Sequence, residues 1–283
     1  KRCAVPFVAT AAGSSASSLT DRVLDTRALV LVVDAASAGT ARTVRSGVLP
    51  LQLKVVVHSG GAHAEGVPPR PDDVPAEALL GAARDRGGAA LTRSGSLELV
   101  RASWSHGPAQ AVEAASALFI LYTSGSTGKP KGVVHTHAGY HVGLCATSSL
   151  VLGLVPGEDV MFVVATTGWI TGQSYMVASS LLHHVPSVVL GGSIASPAHR
   201  FAAVVERHAA TVLKAGSTFI RMFMTQPGAG RLLVDFDLST LRLGVFCAEP
   251  VNEIVHAFAC RHVAPSYINC YWATEHGGIV WGR

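Results

Sequence analysis

The 283 residues carry 22 Lys and Arg against 18 Asp and Glu, a net charge of +4 with histidine neutral; 49% are hydrophobic and 14% charged. That balance is too apolar for a disordered chain and too weakly charged for a polybasic nucleic-acid binder. No run of about 18 apolar residues marks a membrane span.

The length predicts about two domains with a sizeable buried core. Five cysteines (Cys3, Cys145, Cys247, Cys260 and Cys270) are odd in number, widely spaced and lack a C-x-x-C pair. They read as small buried hydrophobes in a reducing compartment, the cytoplasm or an organelle matrix, and as neither a disulfide framework nor a zinc site. Lys1 at the start and Trp281-Gly282-Arg283 at the end read as two cut ends, the small-residue opening giving thin support to a transit-peptide remnant.

In chain order, Ser18–Arg27 reads as a helix feeding the apolar strand Ala28–Asp34, and Leu53–His58 as a second strand. Gly60–Pro71 is a Gly/Pro loop, Pro75–Arg86 a helix, and Gly87–Gly107 polar and irregular. Leu118–Tyr122 is a strand, followed at once by a Gly/Ser/Thr loop. Thr136–Leu150 reads as a helix capped by Thr136. Strands are then expected at Val160–Ala165, Ser187–Leu190, Thr211–Leu213, Leu241–Cys247 and Tyr267–Tyr271. Helices are expected at Ser174–His183, Pro197–His208, Ser217–Met224 and Pro250–His262. This alternation predicts an α/β fold, a mostly parallel sheet with helices on both faces. The irregular stretch Gly60–Ala117 reads as an insertion between two subdomains, residues 1–117 and 118–283.

The most informative stretch is Tyr122–Gly132, YTSGSTGKPKG. Its glycines let several backbone N–H groups turn inward. Hydroxyls on Thr123, Ser124, Ser126 and Thr127 add donors, and Lys129 and Lys131 add positive charge. The composition is that of a polyphosphate cradle. It is not a Walker A loop, because Pro130 stands where the metal-binding hydroxyl of that motif belongs.

Leu118–Tyr140 (LFILYTSGSTGKPKGVVHTHAGY) resembles the phosphate-loop signature of the adenylate-forming acyl-CoA synthetases, in particular their acetyl-CoA and propionyl-CoA synthetase branch. Three further blocks agree in order. Gly168–Tyr175 (GWITGQSY) resembles the acyl and CoA channel motif, Ala248-Glu249-Pro250 the adenine segment, and Tyr271–Gly278 (YWATEHGG) the block that follows it. The resemblance is strong from Leu118 onward and weak before it. It implies two Rossmann-like subdomains, together an incomplete N-terminal domain of such an enzyme.

The implied chemistry joins a short-chain carboxylate to ATP, giving an acyl-adenylate and pyrophosphate; coenzyme A then displaces AMP. Acetate, propionate and 3-hydroxypropionate are the candidate acids. The resemblance assigns phosphate contacts to Thr127 and Lys129, an α-phosphate contact to Thr274, and Mg²⁺ placement to Glu275. The nucleotide would lie along Thr123, Ser124, Gly125, Ser126, Gly128 and Lys131, and along Ala248, Glu249 and Pro250, with Ala248 where the family has glycine. Asn269, Cys270, Tyr271, Trp272 and Ala273 complete that surface. Trp272 would close the acyl pocket, and Trp169, Ile170, Thr171 and Cys247 would line the acyl pocket and CoA channel. Thr166-Thr167 stands where the family often has an acidic residue.

His135, His137 and His141, and the pair His183-His184, lack a convergent set of further ligands and are read as strand-end and helix-surface residues rather than a zinc site. In the family the chain continues past Arg283 with a ribose-binding segment, a hinge and a small C-terminal lid domain carrying the adenylation lysine. Alone, this stretch is expected to bind ATP poorly and turn over little. Two other readings stay open: the ligase module of a multidomain propionyl-CoA synthase, and a catalytically silent nucleotide-binding fragment.

Overall fold

The computed structural model describes residues 6–11, 13–34, 37–48, 54–58, 74–75, 111–124, 129–191, 198–226 and 235–282. They fall into two units, Ala12–Gln110 on one side and Lys1–Ala11 with Ala111–Arg283 on the other.

In the first unit, β2 (Val30–Asp34), β3 (Lys54–His58) and β4 (Val74–Pro75) form a parallel sheet in that order. Helix α1 (Ala16–Thr26) starts at Ser15, whose side chain accepts from the Ser18 N–H at 3.2 Å. Helix α2 (Ala38–Gly47) is absent from the sequence reading, because its inward face is small: Ala38, Ala41 and Val44. Leu19 and Val23 of α1 pack with Val44 and Val48. Pro75 ends β4; the rest of the helix expected at Pro75–Arg86, with the loops around it, lies outside the described residues.

The second unit holds two sheets. Strand β1 (Phe7–Ala9) runs parallel to β5 (Ala117–Thr123), and β6 (Lys131–Thr136) returns antiparallel to β5. Strand β6 corrects the sequence reading, which extended the loop through Gly132 and began a helix at Thr136. Val133, Val134 and Thr136 are β-branched and pair along β5, so the turn chemistry ends at Pro130. Helix α3 (His137–Leu150) follows directly, with Thr136 at its cap position but making no side-chain capping bond.

The larger sheet has six strands in the order β12-β11-β10-β9-β7-β8. These are β7 (Met161–Val164), β8 (Ser187–Val188), β9 (Val212–Gly216), β10 (Leu243–Cys247), β11 (Tyr267–Tyr271) and β12 (Trp281–Gly282). All neighbours are parallel except the β11–β12 pair. Because strand side chains alternate faces, the sheet is buried on both sides. One face (Phe162, Leu213, Ala215, Phe246) packs against Phe201 and Val205 of α5 (Ala198–His208), Phe219 and Phe223 of α6 (Ser217–Met224), and Val255 and Ala259 of α7 (Glu253–His262). The other face (Val163, Val212, Val245, Cys247, Cys270) packs against β5, α3 and the segment after β7.

That segment is not the plain helix the sequence suggested. Gly172–Ser179 is a π-helix running into a single α turn, α4 (Ser180–Leu182). Gly244 of β10 is required by close approach: a Cβ there would collide with the ring of Tyr267 on the neighbouring strand. No helix among the described residues is long and apolar enough to cross a membrane.

Candidate active site

Three of the four sequence blocks meet around Ser174 and Tyr175. Tyr175 lies in the π-helix, fully buried, and its hydroxyl accepts the Ile279 N–H at 2.8 Å. One position earlier, Ser174 donates to the Gly277 carbonyl at 2.6 Å and accepts from the Tyr140 hydroxyl of α3 at 3.0 Å. The π-helix is thus pinned on one side to the loop carrying Thr274 and Glu275, and on the other to the helix that leaves the β5–β6 hairpin. Trp272 stands edge-on to Tyr175, ring centres 5.2 Å apart, and Thr171 hydrogen-bonds Cys247 at the end of β10. Burial raises the Tyr175 phenol to about 12, so it stays protonated. A long π-helix is uncommon and tends to mark functional segments.

Of the phosphate-cradle candidates, Thr123 ends β5 opposite Lys131, the first residue of β6. Ser124, Lys129 and Lys131 are exposed around the connection between these strands. Gly125, Ser126, Thr127 and Gly128 lie outside the described residues.

Thr274 and Glu275 follow β11 in a turn tied by hydrogen bonds from the His276 and Gly277 N–H groups to the Ala273 carbonyl. His135 of β6 is buried beside this turn and hydrogen-bonds the Thr274 backbone. Burial lowers its pKa against the raising effects of that bond and of the nearby Glu275 charge. Gly277 has φ +75 and packs so closely on His135 and Tyr140 that a Cβ would lie 3.0 Å from each ring. Asn269 is exposed on β11, Cys270 is buried there, and Ala273 donates its N–H to His276 at 3.1 Å. Tyr271 is 67% exposed.

Beyond β10, Ala248 has φ +70, so alanine holds the left-handed conformation that favours glycine. Pro250 is exposed, and its carbonyl accepts from Ser217 and Arg221, each at 3.1 Å. The Glu249 carboxylate caps α6, accepting from the Thr218 N–H at 2.6 Å and the Thr218 hydroxyl at 2.7 Å, with Arg221 at 3.6 Å. Burial alone would raise its pKa; the Thr218 bonds and Arg221 outweigh burial and hold the carboxyl below its usual range. Its side chain therefore acts in the scaffold.

Around the expected acyl pocket, Ile170, Thr171, Cys247 and Trp272 are buried in the unit's core, whereas Trp169 is 64% exposed. Among the described residues no group of three or more His, Cys, Asp or Glu converges as a metal site.

A family model described as "AMP-binding enzyme" matches residues 3–283. The chain belongs to the AMP-binding enzyme family. Its relatives include the acetyl-coenzyme A synthetases of Rubrobacter xylanophilus, 38% identical over 65% of this chain and 29% of that protein, and of Mycolicibacterium smegmatis, 37% identical over 64% of this chain and 19% of that protein. Acetyl-coenzyme A synthetase 2 of Candida albicans is 37% identical over 60% of this chain and 26% of its own length. The matched stretch is thus under a third of each of these relatives. The structure of the anthranilate CoA ligase AuaEII, solved with anthranoyl-AMP, superposes with a TM-score of 0.75 over 98% of this chain and 47% of that one, at 19% identity. The two chains therefore share a fold over that stretch.

Within this AMP-binding fold, the sequence reading missed two residues that the structure places at the centre. Tyr175 closed a recognised block without being given a role. Lys214 lies outside the sequence reading, which ends a short strand at Leu213. It is instead the middle residue of β9, between Val163 and Val245, and wholly buried. Its ammonium lies 4.4 Å from the Tyr175 ring centre and 5.2 Å from that of Trp272. A lysine at an inward position of an apolar strand was the signal available.

Proposed function

We propose that this chain is the nucleotide- and acyl-binding part of an AMP-forming acid–CoA ligase that activates a short-chain carboxylate. A carboxylate oxygen attacks the α-phosphorus of ATP and pyrophosphate leaves. The thiol of coenzyme A then attacks the acyl carbon and AMP leaves, carrying its bonding electrons. The observation that supports this best is the bolting of the π-helix to both the β11 turn and α3 through Ser174 and Tyr175. It gathers separated sequence blocks beside the C-terminal ends of parallel strands, where α/β sheets bind ligands.

In this reading residues 118–283 form the AMP-binding subdomain. Thr123, Ser124, Gly125, Ser126, Thr127, Gly128, Lys129 and Lys131 hold the phosphates, and the lysines offset charge as two anions approach. Thr274 contacts the α-phosphate. The backbone of Ala248–Pro250 and the segment Asn269–Ala273 line the nucleotide.

Mg²⁺ fits the donors present: Glu275 offers one exposed carboxylate oxygen pair on a fixed turn, which suits a hard cation that takes its other ligands from phosphate and water. When bound it would neutralise β/γ-phosphate charge. Buried Trp272 limits the acyl pocket to a few carbons, which favours acetate, propionate or 3-hydroxypropionate over fatty acids.

The test is carboxylate-dependent exchange of pyrophosphate into ATP by the full-length protein across acids of two to eight carbons. Exchange with short acids that fades with length is expected. Exchange with no acid, or only with long ones, overturns the reading.

A further inference from the structure

Two hydrogen-bond donors are buried without an acceptor in the cluster that holds Trp272: Nζ of Lys214 and Nε1 of Trp272 itself. Lys214 is the more telling. An ammonium removed from water without a counter-ion is costly, and apolar isosteres usually serve the fold as well or better. Among the described residues, the groups recorded against its ammonium are the faces of Tyr175 and Trp272, which attract a cation but accept no hydrogen bond. Cys247 and Cys270 are near enough for its charge to act on them, yet burial holds both thiols above their usual pKa, so neither supplies a thiolate. The Tyr175 hydroxyl is taken by Ile279. Glu249 is engaged by Thr218 and Arg221, and Asp159 by Arg242.

Lys214 arises two residues before the end of β9, below the edge formed by Gly216 and Cys247. Its head reaches the indole assigned to close the acyl pocket. In the functional reading above, this puts the ammonium at the end of the acyl pocket that Trp272 closes.

We propose that Lys214 selects the acid, and that the acid carries an oxygen group at its far end, a second carboxylate or a hydroxyl, which accepts from the Lys214 ammonium. This rests on the functional reading above and narrows its substrate class to short ω-oxygenated acids. A distal methyl would leave the charge unpaired, whereas a distal oxygen satisfies it.

The experiment measures pyrophosphate exchange by the full-length protein with propionate, 3-hydroxypropionate and malonate, for the native protein and for Lys214→Met. Natively, kcat/KM for at least one oxygenated acid should exceed that for propionate by about tenfold or more, the scale of a charged hydrogen bond; the better of the two identifies the distal group. Lys214→Met should reverse the ranking, losing about tenfold or more on the oxygenated acid and gaining on propionate. Thermal melting gives a readout free of turnover. The preferred oxygenated acid should raise the native melting temperature more than propionate does, and Lys214→Met without ligand should melt no lower than native. Exchange with all three acids at similar kcat/KM, or a Lys214→Met loss common to all three, overturns this inference and leaves the ligase reading standing. Exchange with none overturns both.

Discussion

Ala248 occupies a backbone conformation that its side chain opposes. At φ +70 an L-residue pays roughly 1–2 kcal/mol against glycine, through crowding of Cβ on the carbonyl oxygen. Replacing it with glycine removes that cost but frees the unfolded chain, which opposes folding by about 0.4–1 kcal/mol. The methyl group is exposed, so little packing is lost. Ala248→Gly should therefore stabilise the protein by about 0.5–1 kcal/mol net, a rise in melting temperature of roughly 1–4 °C for a domain of this size. Thermal unfolding of both proteins side by side, followed by near-UV circular dichroism, reads this directly. An unchanged or lower melting temperature would refute the argument, because it would mean that the left-handed backbone carries no Cβ penalty here.

Tyr175→Phe strands the buried Ile279 N–H and should cost about 1–3 kcal/mol in urea unfolding; it should also slow pyrophosphate exchange, since the turn bearing Thr274 loses an anchor. Asp159 is 3% exposed and accepts from Val155 N–H, Thr211 and twice from Arg242. Burial would raise its pKa, but these bonds win and lower it below the ordinary 3.8. Its contribution is thus complete above that value and fades as the pH falls through the folded one. Asp159→Asn should cost about 2–3 kcal/mol near neutral pH, tempered by the partial exposure of Arg242, and the gap to the native protein should narrow in urea titrations at about pH 3. Gly244→Ala drives a methyl group into the Tyr267 ring and should lose roughly 1–3 kcal/mol. In a Tyr267→Ala background the loss should shrink, as a double-mutant cycle would reveal.

The elements that sequence patterning located are those with a strong period. Ser217–Met224 and Tyr267–Tyr271 match residue for residue. Those it missed had weak or misleading local signals. Helix α2 buries two alanines and a valine, too little apolar surface to stand out. Strand β6 follows a Gly/Lys/Pro turn whose residue types continue into its first two positions, Lys131 and Gly132. The π-helix has neither a period of two nor of 3.6, and is set by its contacts with the β11 turn and α3. At the site, the family resemblance named Trp272, Thr171 and Cys247, and the fold brings all three into one core cluster or its border. Glu249 was expected for its backbone alone; its side chain as a cap for α6 depends on a partner 31 residues away. Lys214 breaks the rule that charges avoid core strands, and a reading that trusts the rule ends the strand there.

Strand β9 divides its side chains by parity. Val212 and Lys214 go to the side of Tyr175 and Trp272, while Leu213 and Ala215 go to the phenylalanine-rich side. Inserting or deleting one residue at the start of this strand would exchange the two sets. The ammonium would then be driven among Phe162, Phe201 and Phe219, and Leu213 (on insertion) or Ala215 (on deletion) would sit beneath the indole. The central strand consequently tolerates no change of phase, and the buried charge beside Tyr175 and Trp272 can be altered only by replacement in place at position 214.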